Sequence, residues 1–300
     1  MVSRLRHAWI ARAAEDYHVA AQLAEVLKRQ RLRIGFDGTG SDGRALLSRE
    51  RRVAIGQSRV LILLWSMAAS QSRAVNVAWL AAFYEDRFIV PCVLDLVPLP
   101  PCLQTTVFLD LRRSHPTTSE RLISAVKGAP NAANPIVHAT PRPPAALSRR
   151  LEPILRIQQD ICACWYRRDR EGMSTLQRQL NGLIERHRLL LAPEPSLVPL
   201  QAYHTMHTYI LKHWEAIQDR HPPTDPLLDE AEHRFFELLS MTPADPPTIS
   251  ALGHILLLQR DRESAAFFMR TAIAYAQQND FAYPAVDVDR ATLAELETQL

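Results

Sequence analysis

At 300 residues and 47% hydrophobic content, the chain has room for about two globular domains. Its net charge of +3 excludes a strongly basic nucleic-acid binder, and its four cysteines, Cys92, Cys102, Cys162 and Cys164, show neither CxxC pairs nor a disulfide framework, so reduced core thiols are expected. The strongest apolar run, Val60–Trp65, is far short of the roughly 20 residues of a membrane span, and "MVSRLRHAWIARAAED" has no apolar signal core, so the chain is expected to be cytoplasmic, with no membrane contact.

Residues 1–127 alternate strand-length apolar runs with helical periodicity. "HAWIA" (7–11) predicts a strand, and the next segment places Val19, Leu23 and Leu27 on one helical stripe. "LRIGF" (32–36) predicts a second strand closed by the loop "DGTGSDG"; a helix over 44–56 and the continuous run "RVLILLW" follow, the latter at the length of a strand buried on both faces. A helix opens at Ser72, "FIVPCVLD" (88–95) and "TVFLDL" (106–111) predict two more strands, and a helix over 118–127 closes the region. This alternation implies an α/β fold, a five-stranded parallel, doubly wound sheet of flavodoxin-like layout. The region carries 18 Lys/Arg against 11 Asp/Glu but scatters them without an aromatic stripe, so a solvated arginine-rich surface is favoured over direct nucleic-acid binding.

Residues 128–147, with five prolines and almost no charge, predict a semi-extended linker. Beyond it, 148–300 reads as an all-α domain of amphipathic helices broken by proline-rich turns. Ala231, Phe235 and Leu238 recur 34 residues later as Ala265, Met269 and Ala272, with Gly253 before the second set. Period and small residues resemble a tetratricopeptide repeat over about 225–280, which implies an assembly or sensor domain offering a surface to a trigger or partner protein. "HTMH" (His204, His207) has the i, i+3 spacing of a metal pair but no further ligand on its face, so solvated helix histidines are favoured and no metal is expected; "CAC" (162–164) cannot put both sulfurs on one helix face.

In an open parallel sheet, ligands collect beyond the carboxyl ends of the strands where strand order reverses. The loops concerned are Ala11–Glu15, Asp37–Gly43 and Ser66–Ser72. The glycines of "DGTGSDG" follow the second strand, too late for a G-x-G-x-x-G turn, and no P-loop occurs. At these loops "AWIARAAEDYHVAAQLAEVLKRQRLRIGFD", "AIGQSRVLILLWSMAAS" and "FLDLR" (108–112) resemble, in order and spacing, the boxes of the Toll/interleukin-1 receptor (TIR) domain, particularly its bacterial branch, over residues 7 to about 127. The resemblance implies NAD+ as a substrate, with no cofactor: many members cleave its nicotinamide–ribose bond, and a glutamate near the ribose stabilises the oxocarbenium-like transition state. It places Ser72 before the third helix, Ala74 at the family tryptophan and Ala78 at the family glutamate. It further implies Ala11, Arg12, Ala13, Asp37, Gly38 and Ser66 as residues lining the substrate site, Arg12 as a phosphate or carboxamide contact and Asp37 mainly as a fixer of its loop.

Three readings of Ala78 stay open: a Glu→Ala change that silences a toxic NAD+ consumer, which is favoured; a naturally degenerate interaction module; and a shifted register in which Glu85, two turns on, serves instead. The resemblance implies an NAD+ glycohydrolase switched on by oligomerisation or filament formation through TIR–TIR contacts, of the kind used in antiphage defence by abortive infection. The alternatives are a non-catalytic TIR adaptor and, more distantly, a flavodoxin-like signalling domain.

Overall fold

The run "SRVLILLW" becomes β3 (Ser58–Trp65), buried along almost its whole length, and the first unit is built around it. The computed structural model describes residues 6–37, 46–104, 106–112, 116–130, 145–187 and 197–299, and the chain divides into two compact units, Met1–His138 and Ala139–Leu300. In the first, β1 (Arg6–Ala11), β2 (Ile34–Phe36), β3, β4 (Phe88–Val93) and β5 (Leu109–Asp110) form one sheet in the order β2-β1-β3-β4-β5, every pairing parallel. This is the five-stranded parallel α/β fold that the alternation predicts.

Strand side chains alternate between faces. Ala8, Ile10, Val60, Ile62 and Leu64 share a core with α1 (Tyr17–Arg29) and α5 (Pro116–Gly128). On α1 the fully buried residues are Ala20, Ala24 and Leu27, while Val19 and Leu23 of the predicted stripe are only partly buried, because the small alanines let the helix axis approach the sheet. The remaining helices are α2 (Arg49–Gly56), α3 (Met67–Gln71) and α4 (Arg73–Tyr84). Helix α4 packs on β1, β3 and β4 and also on α2 and α3, so Val75–Phe83 are all buried, and apart from Asn76 this stretch is apolar all round.

Several predicted boundaries shift. The second strand is confined to 34–36, and the helix expected over 44–56 begins at Arg49, where the Ser48 side chain accepts a hydrogen bond from the Arg51 amide. The strand expected over 106–111 shrinks to Leu109–Asp110: β5 is an edge strand, and Val107 and Phe108 face solvent. Helix α3 is unforeseen, a short turn capped by Ser66. The loop 38–45 lies outside the described residues, as does 131–144 of the expected linker; α5 runs to Gly128 and the next helix starts at Ala145.

Every described element of the second unit is a helix: α6 (Ala145–Tyr166), α7 (Arg170–His187), α8 (Val198–Lys212), α9 (Trp214–Gln218), α10 (Pro226–Met241), α11 (Pro246–Leu258), α12 (Arg262–Gln278) and α13 (Val286–Glu297). Ala231 and Phe235 on α10 and Ala265, Met269 and Ala272 on α12 are fully buried, with Leu238 nearly so. A Cβ on Gly253 would stand 3.0 Å from Met269 Cγ and 3.4 Å from the Ala265 carbonyl, so this glycine permits the close approach of α11 and α12. Among the described residues no helix is long and apolar enough to cross a membrane.

One habit runs through both units. Helices α1, α4, α6, α9, α11 and α12 are each followed by a non-glycine residue at positive φ: Arg31, Asp86, Arg168, Arg220, Arg260 and Asp280. In each the next amide returns five residues to a helix carbonyl, as Asp169 N–H does to Cys164 and Asp261 N–H to Leu256, both at 2.9 Å. Glycine is the unstrained choice there; a side chain costs about 1–2 kcal/mol per position.

Candidate functional site

The chain leaves β1 for β2 on one side and returns past β1 to β3 on the other, so strand order reverses between β1 and β3. Beyond their carboxyl ends a ligand site is expected. Here the loops are tied to one another by side chains. Ser66 caps α3, its Oγ accepting from the Ala69 amide at 3.0 Å, and donates to Asp16 Oδ2 at 2.7 Å. Asp16 and Ser66 are 9% and 6% exposed. Burial raises the Asp16 carboxyl above its usual range, against the pull of the Ser66 hydrogen bond.

A second tie joins β1 to β2. Arg12 donates to the Ala13 carbonyl at 2.9 Å and the Asp37 carbonyl at 2.8 Å, and its guanidinium lies over Tyr17, 4.9 Å from the ring centre, and beside Phe36 at 5.8 Å. Desolvation lowers its pKa from the ordinary value. Asp37 Oδ2 pairs with Arg51 Nη2 at 2.7 Å; Arg51, nearly buried, also donates to the Leu46 carbonyl, so α2 is anchored to the end of β2. A third tie comes from Asp95, just after β4, whose carboxylate accepts from the amides of Met67 at 2.6 Å and Val97 at 3.0 Å. Trp65 Nε1 donates to the Pro98 carbonyl at 2.8 Å on the same edge.

The structure therefore brings Ala11, Arg12, Ala13, Asp37 and Ser66 to one edge of the sheet, Ala11 and Ala13 buried there; Gly38 lies outside the described residues. Ser72 caps α4, its Oγ accepting from the Val75 amide at 3.4 Å, and Ala74 is half-buried on the first turn. Ala78, one turn on, is only 3% exposed within the buried body of α4. Glu85 is the C-cap of α4, with its carboxylate beside Gly56 at the end of α2. Helix α4 runs antiparallel to the strands, so Glu85 stands about 20 Å from Ser72 along the helix, at the opposite edge of the sheet. A shifted register brings no carboxylate to the loops.

Sequence reasoning missed Arg51, Asp95 and Asn76. Asn76 donates to the Ser70 carbonyl at 3.2 Å and accepts from the fully buried Trp79 Nε1 at 3.1 Å, joining α3 to α4. An aspartate directly after a strand, as in "FIVPCVLD", is the one signal that could have marked Asp95.

In the second unit the solvated reading of the two histidines fails for His207. It is fully buried with Nε2 3.4 Å from Cys162 Sγ, and burial pushes its pKa down to about 3 and the Cys162 thiol up to about 12. His204 instead faces Asn181 Oδ1 at 2.7 Å, so the histidines do not share a ligand face. All four cysteines are free, and no group of three or more His, Cys, Asp or Glu among the described residues could hold a metal ion.

Comparison with known proteins gives no match among curated proteins and none among solved structures. A family model does match: residues 9–123, from β1 into α5, fit the TIR domain. With the parallel sheet, its strand order and the capped serines in place, the first unit of this chain is a TIR domain, followed by a helical unit.

Proposed function

We propose that this protein works by assembly: its TIR domain self-associates without cleaving NAD+ as the sequence stands, and its helical unit supplies the surface through which a trigger or partner acts. TIR domains commonly self-associate, which makes contact between copies the first property to test. The observation that carries the reading is residue 78, an alanine inside the buried body of α4 where the family pattern calls for a carboxylate. Asp16, Asp37 and Asp95, the carboxylates engaged at the same edge, hold Ser66, Arg51 and two backbone amides. Sedimentation velocity across a wide concentration range tests this reading: weight-average mass should rise with concentration, and a monomer throughout would overturn it.

A second reading is favoured by one feature, the serine caps Ser66 and Ser72: they stand where the resemblance to the NAD+-cleaving branch puts a serine after the buried strand and another before the helix that carries residue 78. Here the protein belongs to that branch, silenced only by Ala78. Its cellular role would be NAD+ depletion on oligomerisation, in antiphage defence by abortive infection. A glutamate restored at 78 would supply the missing stabilisation of positive charge at the ribose. Nicotinamide release by Ala78→Glu, rising more steeply than linearly with protein concentration, is its expected signature; silence under assembling conditions would exclude it.

A further inference from the structure

The described part of the helical unit holds a cavity of about 570 Å³, within the range of small-molecule sites. Its floor is apolar and aromatic, formed by Trp165, Tyr166, Met206, Ile210 and Leu257 from α6, α8 and α11. Its rim is basic: Arg168, Arg220, Arg260 and Arg262 stand there against one carboxylate, Glu295, which pairs with Arg220 at 2.6 Å. Among the described residues, the side chains of Arg168, Arg260 and Arg262 have neither hydrogen bond nor ion pair.

Three of these arginines hold the left-handed backbone position where glycine would be free of strain. Arg31 does the same in the TIR domain, so the conformation alone does not mark a site; the convergence of three such helix ends on one cavity does. Two of them share a local design as well. "RDRE" occurs at 168–171 and again at 260–263, at the turns of the α6–α7 and α11–α12 hairpins. In each the aspartate caps the following helix, Asp169 accepting from the Gly172 amide at 2.8 Å and Asp261 from the Ser264 amide at 3.1 Å, which leaves the preceding arginine on the rim. Uncompensated guanidinium groups repel one another and bind phosphate bidentately, while the floor offers aromatic surface to a flat ring.

We propose that this cavity binds a nucleoside phosphate, with the base against Trp165 and Tyr166 and the phosphates held by Arg168 and Arg260, with Arg262 beside them. An inorganic polyanion would use only the rim and an uncharged nucleoside only the floor, so each should bind more weakly than the whole. The test is calorimetric titration of the full chain with ADP, pyrophosphate and adenosine at low ionic strength, on the order of 50 mM, where charge attraction is least screened. The expected result is ADP binding about tenfold or more tighter than either fragment. Affinity should fall by about tenfold or more in the Arg168→Gly/Arg260→Gly variant. Glycine suits those backbone positions, so that variant should keep or raise the unfolding temperature of the free protein, separating loss of the site from loss of the fold. Arg31→Gly should leave ADP affinity unchanged. No ADP binding up to about 1 mM, wild-type affinity in the double variant, or pyrophosphate binding as tightly as ADP would each overturn the assignment.

Discussion

The loop edge of the TIR domain and the cavity of the helical unit treat charge in opposite ways. At the sheet edge Arg12, Arg51, Asp16, Asp37 and Asp95 are spent on neighbouring loops, with a hydrogen bond or ion pair for each. At the cavity the arginines stand in solvent around an apolar floor, and only Arg220 has a carboxylate partner. A chain poor in glycine and rich in arginine could distribute its guanidiniums anywhere. Here one set fixes the loops at the sheet edge, and the other faces outward. The difference teaches that charged side chains at the edge the family pattern points to are engaged with neighbouring loops, while those around the cavity in the region the family match leaves uncovered are mostly unengaged.

The comparison can be broken most strongly at Trp79. It is fully buried on α4 and bonded to Asn76, so Trp79→Ala should cost about 3–5 kcal/mol in the TIR domain while leaving ADP affinity untouched; a parallel loss of ADP binding would show that the two regions are not separate. Acid should act on the helical unit. His207 is neutral in the fold with its pKa depressed to about 3, so its contribution is present above the ordinary histidine value and is lost as pH falls from about 6.5 toward 3, at up to about 1.4 kcal/mol per pH unit. Asp225, held low chiefly by its hydrogen bond from Lys212, also loses its contribution in acid, at lower pH. Helical-unit stability followed by circular dichroism should fall along this profile, and His207→Leu should flatten its upper part.

A smaller effect sharpens the picture of the latched edge. Ser66→Ala removes a bond to the Asp16 carboxylate and the cap of α3, for a cost of about 2 kcal/mol near pH 7. Burial already raises the Asp16 pKa, so its carboxylate form costs stability as pH rises through the folded value; without Ser66 that value rises further. The Ser66→Ala deficit should therefore be larger at pH 7 than at pH 4, and a deficit independent of pH would mean that only the cap matters. Smallest is Arg31→Gly, which relieves a left-handed residue in the TIR domain and should raise stability by about 1 kcal/mol.

The sequence reveals the sheet because β3 is apolar on both faces and its neighbours are spaced for crossovers. It reveals the framing of α3 and α4 because Ser66 and Ser72 are local caps whose partners lie three residues on. It cannot reveal the latches: Arg51 meets Asp37, Asp95 meets Met67 and Ser66 meets Asp16 only after separate loops reach one edge, and nothing in their local spacing distinguishes them from solvated charges. His207 misleads for a related reason, since a histidine on a helix gives no sign of whether a second helix will cover it. The cavity is hidden further, because an arginine at a helix end complements the helix dipole and looks ordinary. Its left-handed backbone and its convergence with two others exist only in three dimensions.

The most direct test of the central claim is nicotinamide release from NAD+ by the full chain, beside its Ala78→Glu variant, at protein concentrations where sedimentation shows assembly. The account predicts no release from the native chain even when it is assembled, because no carboxylate stands at residue 78 to stabilise the ribosyl cation. Release from the variant alone would assign the silencing to that one residue. Release from the assembled native chain would contradict the account and place catalysis on a group other than residue 78.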